Sequence, residues 1–290
     1  MNETGIIWTE RTWNAVSGCK KITAGCKFCY AHTLAEQRRG TPAFPNGFDL
    51  TYRPHKLKEP LKLKEPSIIF VNSMSDMFWD EISDEYRDKM VDIMEQTPQH
   101  EYQVLTKRPD IMQRYSERRA LPVNFWAGTT IESERVKADR LEALKATRAS
   151  LKFISAEPLL TPLNLTAEDL AGVDWIITGG ESGGHLWKDD VAEHRALVRY
   201  DRQLKKWMPR EDRMQWIRDI RDICEKTGVK FFHKQWGGHY PEAAGRLLDG
   251  RFYSEMPRYP QGKNELSNEY LKQIEGKTEG DRDKTLVKSL

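Results

Sequence analysis

The sequence predicts an α/β fold: a parallel (βα) barrel or partial TIM-like barrel of about six to seven strands, with a C-terminal extension. Three observations lead there. Short apolar runs of strand length alternate with helical segments between residues 67 and 235, the pattern of a parallel sheet covered by helices. Polar and charged residues collect directly after each apolar run, at the carboxyl ends of the strands, where such folds build their sites. A cysteine-rich loop follows the first short apolar segment.

Bulk properties agree. The chain has 290 residues, ordinary for one such barrel, and 38% hydrophobic with 10% aromatic side chains supports a real core. Its 46 basic and 44 acidic side chains leave a net charge of +2, so any nucleic-acid binding has to come from local patches. Residues 1–5 show no basic region followed by an apolar run, and no stretch approaches the roughly 18 apolar residues of a membrane span. The expectation is a reduced, cytoplasmic compartment and no membrane partner. Nine tryptophans recur near the ends of the predicted strands and are expected to wall a cavity.

In chain order, Ile6-Ile7-Trp8 reads as the opening strand or lead-in, and 13–16 delivers the chain to the cysteines. A helix is predicted over 30–39, ending at Gly40; its start would aim N–H groups and a positive dipole end at an anion beside the cysteines. Residues 41–66 form a Pro- and Lys-rich insertion, a solvated loop or a phosphate-facing surface, with Leu57 and Leu61 at the spacing of a short helix. Strands are predicted at 67–72, 101–106, 124–130, 151–156, 173–178 and 230–233, with helices over 84–96, from 110 onward, over 133–147 and over 212–226. Cys224 falls on the apolar face of the last helix and reads as core. A second insertion, between Gly183 and Arg213, is heavy in Arg, Lys, His and Trp. Asp249-Gly250 signals a hairpin within 245–253. The domain expectation is a barrel over 1–257 and a polar tail over 258–290, partly disordered or helical, with Leu266, Tyr270, Leu271 and Ile274 on one weak helix.

The chemistry centres on Cys19, Cys26 and Cys29, three of the chain's four cysteines within eleven residues. A disulfide framework belongs to small secreted chains with paired cysteines, which this is not. Three thiolates on one loop can hold three irons of a cubic four-iron cluster and leave the fourth iron open. They can also supply three zinc ligands, with His32, His55 or Cys224 as the fourth, or serve packing alone.

Cys26-Lys27-Phe28-Cys29 resembles the second half of the radical S-adenosylmethionine (SAM) signature, with an aromatic, Phe28, before the third cysteine. The first gap, six residues between Cys19 and Cys26, is longer than that signature's. From Ile6 to Pro257 the chain resembles a phage-type three-Cys-motif family of radical-SAM-like proteins, through its WNAVSGC, SMSDMF, VLTKRP, ISAEPLL, TGGESG and KQWGG stretches. The resemblance implies a [4Fe-4S] cluster on the three cysteines, SAM as cofactor, an electron donor as partner, and radical chemistry of unknown outcome; the cofactor carries that chemistry and the protein orients it.

A SAM pocket needs an acceptor for the ammonium, donors for the carboxylate and a slot for adenine. The superfamily often places Gly-Gly-Glu after its second strand for the ammonium. Here that strand is followed by Ser73, Ser75 and Asp76, while Gly179-Gly180-Glu181 comes late, facing substrate or ribose, or forming a glycine turn with a solvated glutamate. Thr106, Lys107, Thr129 and Glu157 complete the cofactor candidates at neighbouring strand ends. Arg108 and Lys107 can bind a carboxylate or phosphate, or form a surface ion pair. His233 reads as a satisfied core group. Lys234, Gln235, Arg199 and Arg202 are substrate candidates, the last two within a mix of basic and aromatic residues suited to phosphates and stacked bases of DNA or RNA. The functional expectation is therefore a radical SAM enzyme acting on a nucleic acid or nucleotide, in base modification or repair. The rival is a zinc- or cluster-containing nucleic-acid-binding protein without radical catalysis.

Overall fold

The computed structural model describes residues 1–267. Seven parallel strands lie side by side in chain order: β1 Arg11–Trp13, β2 Ile68–Val71, β3 Glu101–Thr106, β4 Phe125–Thr130, β5 Leu151–Ala156, β6 Trp175–Gly179 and β7 Lys230–Gln235. Asn2–Glu3 pairs antiparallel on the outer edge of β1. Among the described residues β1 and β7 do not pair with each other, so the curled sheet is a half-barrel, a partial TIM-like barrel of the predicted class. The connections carry α1 Tyr30–Gln37, α2 Asp84–Glu95, α3 Pro109–Arg118, α4 Glu134–Ala146, α5 Asp189–Arg195 and α6 Glu211–Thr227. The second insertion adds an antiparallel hairpin, Val198–Asp201 with Lys206–Pro209.

The helix boundaries follow local chemistry. Ser83 caps α2 by accepting from the Tyr86 N–H at 3.3 Å, with Asp84 and Glu85 in the first turn at the dipole's positive end. Pro109 opens α3, where its missing N–H costs nothing. Gly228, at φ +76°, ends α6 in the left-handed conformation.

Alternation along the strands divides the core in two. Side chains on the convex face (Ile69, Val71, Tyr102, Val104, Phe125, Ala127, Ile154, Ile176, Phe231) pack under the helices, and Cys224 of α6 is buried among them, as its spacing predicts. The concave face has an apolar floor of Ile68, Phe70, Trp126, Leu151, Phe153, Trp175, Ile177 and Phe232. Gly128 belongs to that face: a Cβ there would stand 2.1 Å from the Phe153 ring, so the ring takes the space a side chain would fill.

Two expectations change. Of the two readings of Ile6-Ile7-Trp8, the lead-in holds and the opening strand does not; Ile7 and Trp8 plug the floor, with the Trp8 ring 4.8 Å from Phe70 and 6.3 Å from Trp175. The ladder instead uses Arg11–Trp13, paired with Ile69, Phe70 and Val71. Trp126 and Trp175 do not wall a cavity at the carboxyl ends: they sit near the amino ends of their strands and fill the floor edge to face, 6.1 Å apart, while Trp13 and Trp236, at carboxyl ends, are fully buried in the core under the helices. The short helix expected around Leu57 and Leu61 forms as two pieces, a one-turn α-helix Pro54–Leu57 and a 3-10 turn Pro60–Lys62, divided at the second proline. The Asp249-Gly250 turn closes a single bridge, Leu248 to Arg251, with both turn residues at positive φ.

Residues 258–267 are irregular and tie back under the floor. Arg258 donates to Glu101 at 2.7 Å, Lys263 lies 3.2 Å from Glu10, and Leu266 is buried against the inner cluster. Of the weak helix expected through Leu266, Tyr270, Leu271 and Ile274, the last three residues lie outside the described residues. No helix among the described residues is long and apolar enough to cross a membrane.

Candidate functional site

The cysteine loop lies at the carboxyl ends of the strands and is fastened from several sides. Gly18, at φ +90°, is required: a Cβ would stand 2.3 Å from the Asp49 carbonyl oxygen. The Gly18 N–H donates to the Met74 carbonyl at 2.9 Å, the Ser75 hydroxyl donates to the Gly18 carbonyl at 2.6 Å, and the Tyr30 hydroxyl donates to the Ser73 carbonyl at 2.8 Å. Asn14 Oδ1 accepts from the Met74 N–H at 3.0 Å and from the Ser73 hydroxyl at 3.2 Å. Ser73 and Ser75, expected to bind cofactor, are thus engaged in holding the loop to the end of β2. A short 3-10 turn, Ala24–Cys26, presents Cys26, and Cys29 is the N-cap of α1. All three thiols are free and half-buried.

Cations back the sulfurs. Arg108 is buried, with Nη1 3.9 Å from Cys19 Sγ and Nη2 donating to the Lys20 carbonyl at 3.3 Å. It is therefore not the surface ion pair that was one expectation. Asp76 orients it. The Asp76 carboxylate accepts from Thr106 Oγ1 at 2.7 Å, the Phe78 N–H at 2.9 Å, the Lys107 N–H at 3.0 Å and Arg108 Nη1 at 3.3 Å. Those four donors occupy the lone-pair positions of one carboxylate, so Asp76 is committed to the end of β3. Burial and the nearby Asp76 push the Cys19 thiol up to about 12, against the pull of Arg108. Burial also raises Cys26, but the Lys107 ammonium and hydrogen bonds at Ile22 and Thr23 outweigh it and bring that thiol below its ordinary range.

Above the apolar floor, the concave face ends in a polar layer. Lys107 Nζ donates to Thr130 Oγ1 at 3.3 Å, Ser155 Oγ donates to Glu157 at 3.2 Å, and Lys234 Nζ lies 3.2 Å from Glu157 Oε1. The β6–β7 register slips between His233 and Gln235, so Lys234 is a bulged residue, a device that re-aims a side chain. Gly179 lets this pair form: a Cβ there would stand 2.6 Å from Glu157 Oε1, so the carboxylate crosses β6 where a side chain is absent. Gly180 is needed for a backbone crossing, since its Cβ would stand 1.9 Å from the Trp236 carbonyl oxygen.

Other candidates point elsewhere. Thr106 donates to Asp76, and Thr129 donates to the Thr106 carbonyl at 3.0 Å; both lie on the opposite parity from the mouth, which Thr130 faces instead. Gln235 is buried and donates to the Gly180 carbonyl at 3.2 Å. His233 is buried, with Nδ1 2.9 Å from Thr178 Oγ1 and Nε2 without a partner, so it is only half satisfied. Glu181 is not a solvated turn residue: it is buried, receives two bonds of 2.6 Å from Arg195, and lies 3.2 Å from His185 Nε2. Arg195 also donates to the Ala24 carbonyl at 3.0 Å and sits 5.2 Å from the Phe28 ring, on which the His185 ring stacks at 3.8 Å. Phe28 and Glu181 thereby form a latch between the cysteine loop and the loop after β6. Arg199 and Arg202 stand on the exposed hairpin, with Arg202 3.2 Å from Asp189.

Sequence reasoning places Thr129 and Thr130 at the same strand end without separating them, and missed Ser155 as a mouth residue, Asn14 and Tyr30 as fasteners, and Arg195 as the latch. Strand parity was the signal that picks out Thr130 and Ser155. Two clefts, of about 500 and 640 Å³, flank the outer side of the cysteine loop, between it and α4 and α5. Among the described residues no three His, Cys, Asp or Glu side chains converge as they would around a single ion. A cubic cluster takes each thiolate on a different iron, so it does not ask for such convergence. Three free thiols on one short loop, backed by Arg108 and Lys107, suit an anionic cluster.

A family model described as "Protein of unknown function (DUF5131)" matches residues 3–197 and 208–257. Among solved structures, a spore photoproduct lyase complexed with dinucleoside spore photoproduct superposes with a TM-score of 0.50 at 13% identity, covering 78% of this chain and 76% of that one. A cysteine-to-alanine mutant of the lyase, with dinucleoside spore photoproduct, gives 0.49 at 14% identity, covering 78% and 76%. At that identity the first likeness shows the fold alone, a partial barrel. No curated protein matches the chain.

Proposed function

The chain belongs to the DUF5131 family, and we propose that it is an iron–sulfur, SAM-dependent radical enzyme acting on a nucleic acid or nucleotide, with Cys19, Cys26 and Cys29 as cluster ligands. The observation that carries this reading is the setting of the three thiols: one loop, free and half-buried, at the mouth of a half-barrel, with Arg108 and Lys107 beside them. The likeness in fold to a lyase crystallised with a dinucleoside supports the substrate class. When bound, such a cluster supplies one-electron reductive cleavage of SAM, with the electron from an external donor.

The chain's own residues do the rest. Asp76 and the β3 end hold Arg108 toward Cys19, and Arg108 and Lys107 offset negative charge at the sulfurs. Glu157 and Lys234 present an acid and a base on the concave face, suited to the ammonium and carboxylate of an amino acid or to a polar substrate group. The apolar floor below them excludes water.

One observation favours a second reading, a cluster protein without radical catalysis. Asp76, the acid that the sequence offers for the SAM ammonium, is engaged by donors of the chain itself, and Glu157 is paired with Ser155 and Lys234, so neither carboxylate takes an ammonium without giving up a partner. Anaerobic purification separates these readings. The enzyme is expected to be brown, to contain iron and sulfide, and to release 5′-deoxyadenosine from SAM under dithionite. Colourless protein with one zinc sinks the cluster. An intact cluster that yields no 5′-deoxyadenosine selects the second reading.

A further inference from the structure

The loop after β6 and the hairpin behind it carry a feature that the cysteine mouth does not use. Trp187 packs against Tyr200 at 4.8 Å, Trp207 at 5.1 Å and His239 at 5.3 Å, and His239 against Tyr240 at 4.3 Å. Trp207 is the base of this group. It is buried, its ring stands 3.1 Å from where a Gly238 Cβ would be, and its Nε1 has no hydrogen-bond partner. Trp187 is the top and is 49% exposed. Neighbouring rings fix its orientation, so it offers a π-face with little rotamer freedom left to lose on binding.

Exposed cations lie on the same segment and hairpin. Lys188 follows Trp187, and Arg199, Lys205 and Lys206 are exposed on the hairpin with no carboxylate within ion-pair distance among the described residues. The antiparallel register pairs Tyr200 with Trp207 on the face that carries the rings and Asp201 with Lys206 on the other face, which Arg199 shares. The shelf is close to the mouth: His185, two residues before Trp187, stacks on Phe28 of the cysteine loop.

We propose that this shelf binds single-stranded nucleic acid, with Trp187 stacking on an unpaired base and Lys188, Arg199, Lys205 and Lys206 holding the flanking phosphates. The proposal rests on the nucleic-acid part of the function above and is independent of its cofactor part. Stacking on an exposed indole needs a base out of its helix, so the shelf selects single strands over duplexes. Unpaired cations on a hairpin of an otherwise near-neutral chain are the local patch that phosphate binding requires.

The test is fluorescence anisotropy of labelled oligothymidine and oligouridine, with a duplex of mixed sequence as control, on the full-length protein. Salt-dependent binding is expected to one or both single strands and to be weaker for the duplex. Trp187→Ala is expected to lose about tenfold or more in affinity, and Trp187→Phe to keep most of it. Arg199→Gln with Lys205→Gln and Lys206→Gln, all at exposed positions, is expected to flatten the salt dependence. Equal affinity of Trp187→Ala and wild type, an unchanged salt slope in the triple variant, or a duplex bound as tightly as the single strands overturns the shelf. If Trp187→Ala does not fold, the triple variant decides. Release of 5′-deoxyadenosine by a protein that binds no oligonucleotide overturns the shelf alone. Oligonucleotide binding without that release supports the shelf and counts against the radical reading alone.

Discussion

The two ends of the concave face are made by the same strands and differ in almost every property. At the amino ends, Trp126, Trp175, Phe153 and Phe232 form a floor sealed by Trp8. At the carboxyl ends, Lys107, Thr130, Ser155, Glu157 and Lys234 form a paired polar layer beside the cysteines. A few residues along each strand separate packing from chemistry. The contrast implies that floor and mouth answer to different measurements: one holds the molecule together, the other gives it something to do.

The strongest challenge to this division is Cys26→Ala. It should abolish bound iron and sulfide, measured by metal analysis after anaerobic purification, while thermal unfolding of the metal-free protein barely moves. Trp175→Ala should do the reverse. Emptying a fully buried indole site costs about 3–5 kcal/mol, read as a shift in the denaturant midpoint, with iron per folded molecule unchanged. If iron loading falls in Trp175→Ala, floor and mouth are one unit.

A smaller effect comes from His233, on the convex side of β7. Burial, with Arg246 nearby, lowers its pKa from 6.5 to about 3, so it stays neutral in the folded chain. The unfolded chain binds the proton first as pH falls. Stability is therefore lost between about pH 6.5 and pH 3, by up to about 1.4 kcal/mol per pH unit from this group. His233→Asn should show a flatter pH dependence than wild type in denaturant titrations across that window. The smallest effect sharpens the mouth itself. Gly179→Ala intrudes on the Glu157 carboxylate, the movable end of a side chain. It should weaken SAM binding a few-fold, measured by calorimetry, and alter stability by less than about 1 kcal/mol.

Much of this was legible in the sequence, for physical reasons that also mark where reading stopped. The apolar runs of β2 to β7 are buried on both faces, so they stand out as continuous stretches. β1 has only three residues and begins with Arg11, whereas Ile6-Ile7-Trp8 is more apolar because it fills the floor, so the stronger signal pointed to the wrong segment. Strand ends were readable, but parity was not used: Thr129 and Thr130 look alike in one dimension, and a single step along the strand turns one of them away from the mouth. The partners of Asp76 and Glu181 were beyond reach, because Thr106 and Arg195 meet them only after folding.

The latch through Arg195 also imposes an order in time. Its guanidinium grips Ala24 across 171 positions of chain and lies over Phe28 of the same loop. While a ribosome is still making the first half of the protein, the thiols are already outside and the clasp that seats them does not yet exist. A cluster of the kind proposed would meet a loose tether at that moment and a finished socket after release.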